Sequence, residues 1–197
     1  MTEATHWRLF VAAELPASLR RDLARLGRRL SRRLPDDAIR WLPPASIHLT
    51  LRFLGPVLPS RVPVITGALE TAAAACRALT LRLAGLGSFA GSRSPRVIWV
   101  GLKGDERGLR GLAGAVRECL EMAGFPREER PFRPHLTLGR VRDRLAACDR
   151  DALGAALTSF RPPPFAPVRV TGMVLFRSHL GPGGARHEPL IRLPLAG

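Results

Sequence analysis

The chain has 197 residues, 46% of them hydrophobic, with a mean hydropathy near zero, which suits the core of one domain spanning residues 1–197. Charges interrupt every long apolar run, and residues 1–10 carry Glu3 and His6 where a leader would place cations and an apolar stretch, so neither a membrane span nor a secretory signal is expected. The formal net charge of +15 and pI near 11.7 favour a polyanionic partner, although the cations are arginines apart from Lys103, and a compositional bias toward arginine carries part of that charge.

In chain order, Trp7 to Leu15 form an apolar, β-prone opening closed by Pro16. Residues 16–34 follow with Leu19, Leu23, Leu26 and Leu30 at helical steps and arginines between them, the pattern of an amphipathic helix with a solvated cationic face. A short run at 39–42 precedes the Pro43-Pro44 break, and an alternating strand is expected at 47–54, stopped by Gly55-Pro56. A helix at 59–78, a strand at 79–86, a loop at 87–95 and a strand at 96–102 come next. A helix at 104–124, a loop at 125–134, a strand at 135–141, a short helix at 149–157, a proline linker at 162–164 and a strand at 168–177 follow. A Gly-rich loop at 181–185 and a strand at 187–195 close the chain. No GxGxxG or Walker loop occurs at a strand-to-helix turn, and the rhythm is not uniformly βαβ, so an α+β fold with antiparallel sheets is expected. Cys76, Cys119 and Cys148 are isolated, fit neither a metal knuckle nor a disulfide framework, and read as reduced, buried thiols.

The chemistry is carried by a repeated tetrapeptide. His-Leu-Thr-Leu occurs at 48–51 and again at 135–138, and the chain has five histidines in all. The repetition in matching proline-then-strand contexts points to two equivalent halves. In a strand, His and Thr project from one face and the two leucines from the other, so the leucines can bury while His48 and Thr50 confront His135 and Thr137 across a cleft. In-line displacement at phosphorus needs a base on the attacking oxygen and an acid on the leaving oxygen, and imidazole serves as either near neutrality. The threonine hydroxyls would donate to the non-bridging oxygens. Neither tetrapeptide supplies further ligands at a zinc spacing, and no metal or other cofactor is expected.

Arg140 falls five residues after His135, on the opposite face by strict alternation, yet Gly139 allows a bulge that would return it to the cleft as a phosphate clamp; a plain surface arginine is the even alternative. Phe53 occupies the matching place after His48, where a ring could stack on a nucleobase or pack in the core. Trp41 and the stretch Phe132, Arg133 and Pro134 stand at the mouths of the two motifs. His179 and His187 have no partner motif and read as solvent-facing, and His6 is given no role.

These residues resemble the two-histidine phosphoesterase superfamily, and within it the RNA 2′,3′-cyclic phosphodiesterase family, also called LigT-like or ThpR and formerly 2′-5′ RNA ligase. Besides the two His-x-Thr motifs, Arg8 to Ala12, Ile47 to Gly55, Val97 to Gly101 and Arg133 to Arg140 match the family pattern across nearly the whole chain. The resemblance implies a bilobal fold of two antiparallel sheets with flanking helices, related by pseudo-two-fold symmetry, with the active groove between them. It implies His48 as proton donor, His135 as proton acceptor, Thr50, Thr137 and Arg140 on the phosphate, and Phe53 on the base. It also implies hydrolysis of RNA 2′,3′-cyclic phosphate ends, tRNA fragments among them, to 2′-phosphomonoesters, with weak reversible 2′-5′ joining. A cytoplasmic monomer is the expectation. Members of the family it resembles often carry a tyrosine near the closing strand where this chain has His187, and the chain has no tyrosine at all. Two other readings remain: a non-catalytic protein that binds RNA ends, and an enzyme for the cyclic phosphate of a small nucleotide or sugar. A bell-shaped pH profile around neutrality is expected of the paired histidines.

Overall fold

The computed structural model describes residues 6–34, 37–89, 95–142, 146–161, 164–181 and 184–197. The expected loop at 87–95, the 162–164 linker and the 181–185 loop therefore lie partly outside the described residues.

β1 (Trp7–Ala13) buries Leu9, Val11 and Ala13 on one face. Pro16 caps α1 (Ala17–Ser31), whose Leu19, Leu23, Leu26 and Leu30 are buried while Arg21, Arg25, Arg28 and Arg29 face outward. The short β2 (Ile39–Trp41) follows, with the Trp41 ring laid so close to Gly27 that a Cβ there would stand 2.9 Å from it. A 3-10 turn at Pro44–Ser46 leads into β3 (Leu49–Val57). α2 (Val62–Ala74) and β4 (Leu79–Phe89) complete the first half. The second half runs β5 (Val97–Gly104), α3 (Glu106–Met122), β6 (His135–Val141), α4 (Ala147–Ser159), β7 (Val168–Val170), β8 (Gly172–Gly181) and β9 (Gly184–Pro194).

These strands form two antiparallel sheets, a four-stranded one in the order β3-β1-β8-β9 and a five-stranded one in the order β2-β6-β5-β4-β7. The α+β, two-sheet expectation holds. The halves repeat an order, β1-α1-β3-α2-β4 and β5-α3-β6-α4-β8, but each lends its last strand to the other's sheet: β4 pairs with β5, and β8 with β1. The helices cross over as well, α1 lying against β2 and β6 while α3 lies against β3. One contiguous buried cluster consequently includes side chains of both sheets and all four helices.

Several boundaries differ from the sequence reading for physical reasons. The strand expected at 168–177 is two strands, because the chain leaves the five-stranded sheet after Val170 and enters the four-stranded one at Gly172. β3 runs through Gly55 and Pro56 instead of stopping there. It is an edge strand, where a proline's missing N–H costs no ladder bond, and Gly55 supplies a positive φ of 72°. The cysteines are free, but Cys76 and Cys119 are only half-buried and Cys148 is exposed, so the buried reading fails for all three.

β4 extends to Phe89 because Gly87 admits the Trp99 ring directly across it from β5: a Cβ at Gly87 would lie 2.3 Å from that ring. Replacing Gly87 with Ala is expected to displace Trp99 and to lower stability by about 1–3 kcal/mol, the range for an overpacked site. Urea denaturation followed by tryptophan fluorescence checks it, an unchanged midpoint and emission refuting the contact.

Candidate active site

In an antiparallel ladder, residues directly opposite each other project from the same face, so the registers settle which side chains line the cleft. In the five-stranded sheet His135 stands opposite Gly101 and Thr137 opposite Trp99, while buried Leu136 stands opposite Val100 on the core face. Leu138 is then skipped, a bulge, so Gly139 meets Ile98 and Arg140 meets Val97. Arg140 is thereby returned to the face of His135 and Thr137. In the four-stranded sheet Thr50 stands opposite Ala12, Leu51 is skipped, buried Arg52 meets Val11, and Phe53 meets Phe10. The second leucine of each tetrapeptide is thus a bulge, and each bulge brings the fifth residue after its histidine onto the cleft face.

The motif strands do not pair with each other; they belong to different sheets and touch across the cleft. His135 opens β6, whereas His48 sits one residue ahead of β3. Both rings are held the same way. His48 Nδ1 is 2.9 Å from the carbonyl oxygen of Ser46, and His135 Nδ1 is 2.7 Å from that of Arg133. A carbonyl only accepts, so each Nδ1 carries the proton and each Nε2 is left free.

Aromatic walls surround the two rings. Phe10 lies tilted against His48 with ring centroids 4.7 Å apart, and His187 of β9 meets His48 edge-on at 5.0 Å and Phe10 at 4.9 Å. Phe89 meets His135 edge-on at 4.7 Å. His187 is therefore part of the cleft and not solvent-facing, because Ser178 opposite it in β8 shares the face of Phe10 and Phe176. Its buried Nδ1 has no hydrogen-bond partner among the described residues. His179 is likewise not free in solvent, since Nε2 pairs with Glu188 at 2.6 Å. Phe53 is 64% exposed, a bare ring at the cleft mouth leaning on Phe10 at 6.0 Å. Sequence reasoning missed Phe10, Phe89, Trp99, Phe176 and His187. For Phe10 a signal was present in its alternation with Leu9 and Val11.

Burial, the neighbouring His187 and the more distant His135 push the His48 pKa down to about 4, against the hydrogen bond to Ser46, which favours the charged form. Burial also lowers His135, opposed by its bond to Arg133, and lowers His187. All three imidazoles are neutral in the free protein at neutral pH. Among the described residues no three His, Cys, Asp or Glu side chains converge as metal ligands.

A family model described as the 2′-5′ RNA ligase superfamily matches residues 15–182. The chain belongs to that superfamily. A member from Escherichia coli named RNA 2′,3′-cyclic phosphodiesterase is 33% identical over 95% of this chain and 96% of its own length. A Geobacillus stearothermophilus protein of the same name is 31% identical over 95% of this chain, which spans only 57% of that relative. The fold agrees with E. coli LigT solved in complex with 3′-AMP, at TM-score 0.76 and 29% identity over 98% of this chain and 99% of that one. A Thermus thermophilus structure matches at TM-score 0.76 and 28% identity, covering 95% and 97%. The superfamily resemblance read from the two motifs is thereby established, as is the two-sheet fold it implied.

The depressed imidazoles carry a stability signature. A histidine whose folded pKa is lowered binds its proton in the unfolded chain first, so its contribution is full above about 6.5 and is lost as pH falls toward about 4. His48→Gln should therefore show a shallower loss of stability than the wild type between pH 6.5 and 4.5 in urea denaturation; parallel curves would contradict the buried neutral ring.

Proposed function

We propose that this protein hydrolyses the 2′,3′-cyclic phosphate at the end of an RNA to a 2′-phosphomonoester, with His48 and His135 as the acid and base, and that it does so as a cytoplasmic monomer without a metal. The observation that carries this reading is the pair of imidazoles, one from each sheet, each anchored through Nδ1 with Nε2 free toward the cleft. In the proposed reaction His135 Nε2 takes a proton from the attacking water as the new P–O bond forms. His48, protonated at Nε2, gives its proton to the 3′ oxygen as the P–O3′ bond breaks. A 5′-hydroxyl attacking the cyclic phosphorus in place of water, with its proton going to His135 and the P–O3′ bond breaking as before, would yield the 2′-5′ linkage that the superfamily's name describes.

Thr50 and Thr137 share the cleft face with their histidines and would donate to the non-bridging oxygens, each such donor being worth roughly 2–4 kcal/mol when preorganised. Arg140 would grip the phosphate through its fork of donors, and Phe53 would stack on the terminal base. The names of the relatives and the 3′-AMP bound to E. coli LigT support a nucleotide substrate.

An acid with a free pKa of about 4 is uncharged at neutral pH, so the proton on His48 has to be stabilised by the arriving phosphate. Since kcat/KM reports the free enzyme, its bell should lie on the acid side of neutrality, between about 4 and 6.5, and not around pH 7. A profile that is flat from pH 4 to 8, or centred above 7, would rule out these two groups as the titrating pair.

The direct test uses an RNA oligonucleotide ending in 2′,3′-cyclic phosphate, assayed in EDTA. The expected outcome is a 2′-phosphate product from the wild type and a loss of at least about a hundredfold in kcat for His48→Ala and for His135→Ala, the lower end of the acid–base contribution. A 3′-phosphate product, a metal requirement, or activity in either variant near the wild-type level would overturn the proposal.

A further inference from the structure

The five-stranded sheet places a second arginine on the cleft face that no part of the proposed chemistry uses. In the β2–β6 ladder Ile39 stands opposite Val141, Arg40 opposite Arg140, and Trp41 opposite Gly139. Ile39 is buried and Trp41 is folded down on Gly27 of α1, so their face is the core face. Arg40 projects from the other one, beside Arg140 and in the same row as Val97. Both arginines are exposed, and among the described residues neither forms an ion pair or a side-chain hydrogen bond.

Like charges directly opposite in a ladder are destabilising, and the fold keeps this pair without a carboxylate to relieve it. A second feature fixes where the Arg40 head lies. Its Nη2 sits where a side chain on Gly184 would begin, 2.7 Å from the position of a Cβ there. Gly184 starts β9, in the four-stranded sheet, so the guanidinium reaches from the rim of one sheet to the rim of the other and closes that end of the cleft. The absence of a side chain at Gly184, whose φ is +113°, leaves the space it occupies.

From the reacting position the cleft face of β6 runs His135, Thr137, Arg140, and the row then steps across the ladder to Arg40 at the sheet edge. Two residues of strand cover roughly 6.6 Å, and neighbouring strands are roughly 4.8 Å apart. Arg40 therefore stands on the edge strand beside Arg140, and its head is turned to Gly184 of the other sheet, where the nucleic acid strand leading to a phosphate held by the histidines and Arg140 could meet it.

Resting on the function proposed above, we infer that Arg40 and Gly184 form a second anion subsite, which binds the phosphodiester on the 5′ side of the terminal nucleotide. Its ligand is the RNA backbone, and its effect is to favour an oligonucleotide end over a free mononucleotide 2′,3′-cyclic phosphate, which has no such phosphate. Arg140 serves the reacting phosphate and Arg40 the one before it, which accounts for two uncompensated guanidiniums side by side.

The test compares kcat/KM for a dinucleotide ending in 2′,3′-cyclic phosphate with that for the mononucleotide 2′,3′-cyclic phosphate, in wild type, Arg40→Gln and Arg40→Lys. The ratio of the two should fall by about tenfold in Arg40→Gln, the worth of one charge-assisted phosphate contact, and be largely restored in Arg40→Lys. The salt dependence on the dinucleotide should lose about 0.7 in log–log slope, one phosphate contact of a single strand. An unchanged ratio, or an equal loss on both substrates, would overturn the inference, the first marking Arg40 as a solvent-facing charge and the second as part of the fold or reaction centre. Wild type inactive on both substrates would instead defeat the reading of the histidine pair, and this inference with it.

Discussion

The cleft depends on two hydrogen bonds from imidazole to backbone, His48 Nδ1 to Ser46 and His135 Nδ1 to Arg133. Because a carbonyl has no proton to give, both bonds survive whether Nε2 is protonated or not, so each ring keeps its orientation in either protonation state. The acceptors come from proline-marked segments. Pro43 and Pro44 set up the 3-10 turn that ends at Ser46, and Pro134 disfavours helical backbone at Arg133, whose carbonyl meets the ring two residues on. With Nδ1 committed, Nε2 is the nitrogen each ring leaves to the cleft, and the bulges, aromatic walls and strand faces surround it.

Two rings on different sheets are useful only if the sheets hold a fixed separation. The exchange of β4 and β8 between halves makes each sheet a composite of both, so the cleft cannot open by moving one half alone. Side chains add ties near the motifs. Ser46 Oγ donates to Ala185 at 3.2 Å, binding the approach to His48 to β9. Arg52, buried on the core face of β3, donates to the Pro126 carbonyl and lies 3.6 Å from Glu128, and Arg61 donates to Ala123 while covering the Phe125 ring. Both arginines thus pin the segment that delivers His135 to the lobe that carries His48. Arg52 does so at a cost, because among the described residues its buried Nε and Nη1 lack hydrogen-bond partners and Nη2 is the nitrogen that donates, with the charge offset by Glu128.

The sequence displayed much of this because its information is local. The alternation in each tetrapeptide decides which face buries, and the apolar steps in α1 decide its core stripe. The place of Arg140 was open because a bulge is a property of the pair of strands: the skipped Leu138 is defined only against Ile98 and Trp99 of β5. The same holds for the break at Thr171, which separates two strands only because they join different sheets. His187 was misread because its surroundings, Phe10 and Phe176 in β1 and β8, are distant in sequence and meet it through two ladders.

The electrostatics of the cleft oppose those of the surface. Around a chain of net charge +15, burial disfavours charge on the imidazoles of the cleft. Charging both His48 and His187, whose rings are 5.0 Å apart, would set two cations against each other at a cost of about 3 kcal/mol for an effective dielectric near 20. The free site therefore resists protonation, and an anion placed between the rings reverses that balance by attracting the proton that desolvation had excluded. In the proposed reaction the substrate thus supplies the charge that makes His48 an acid. A group so reluctant to hold its proton transfers it readily to a departing oxygen, and the arginines outside need only bring the phosphate to the place where that proton becomes stable.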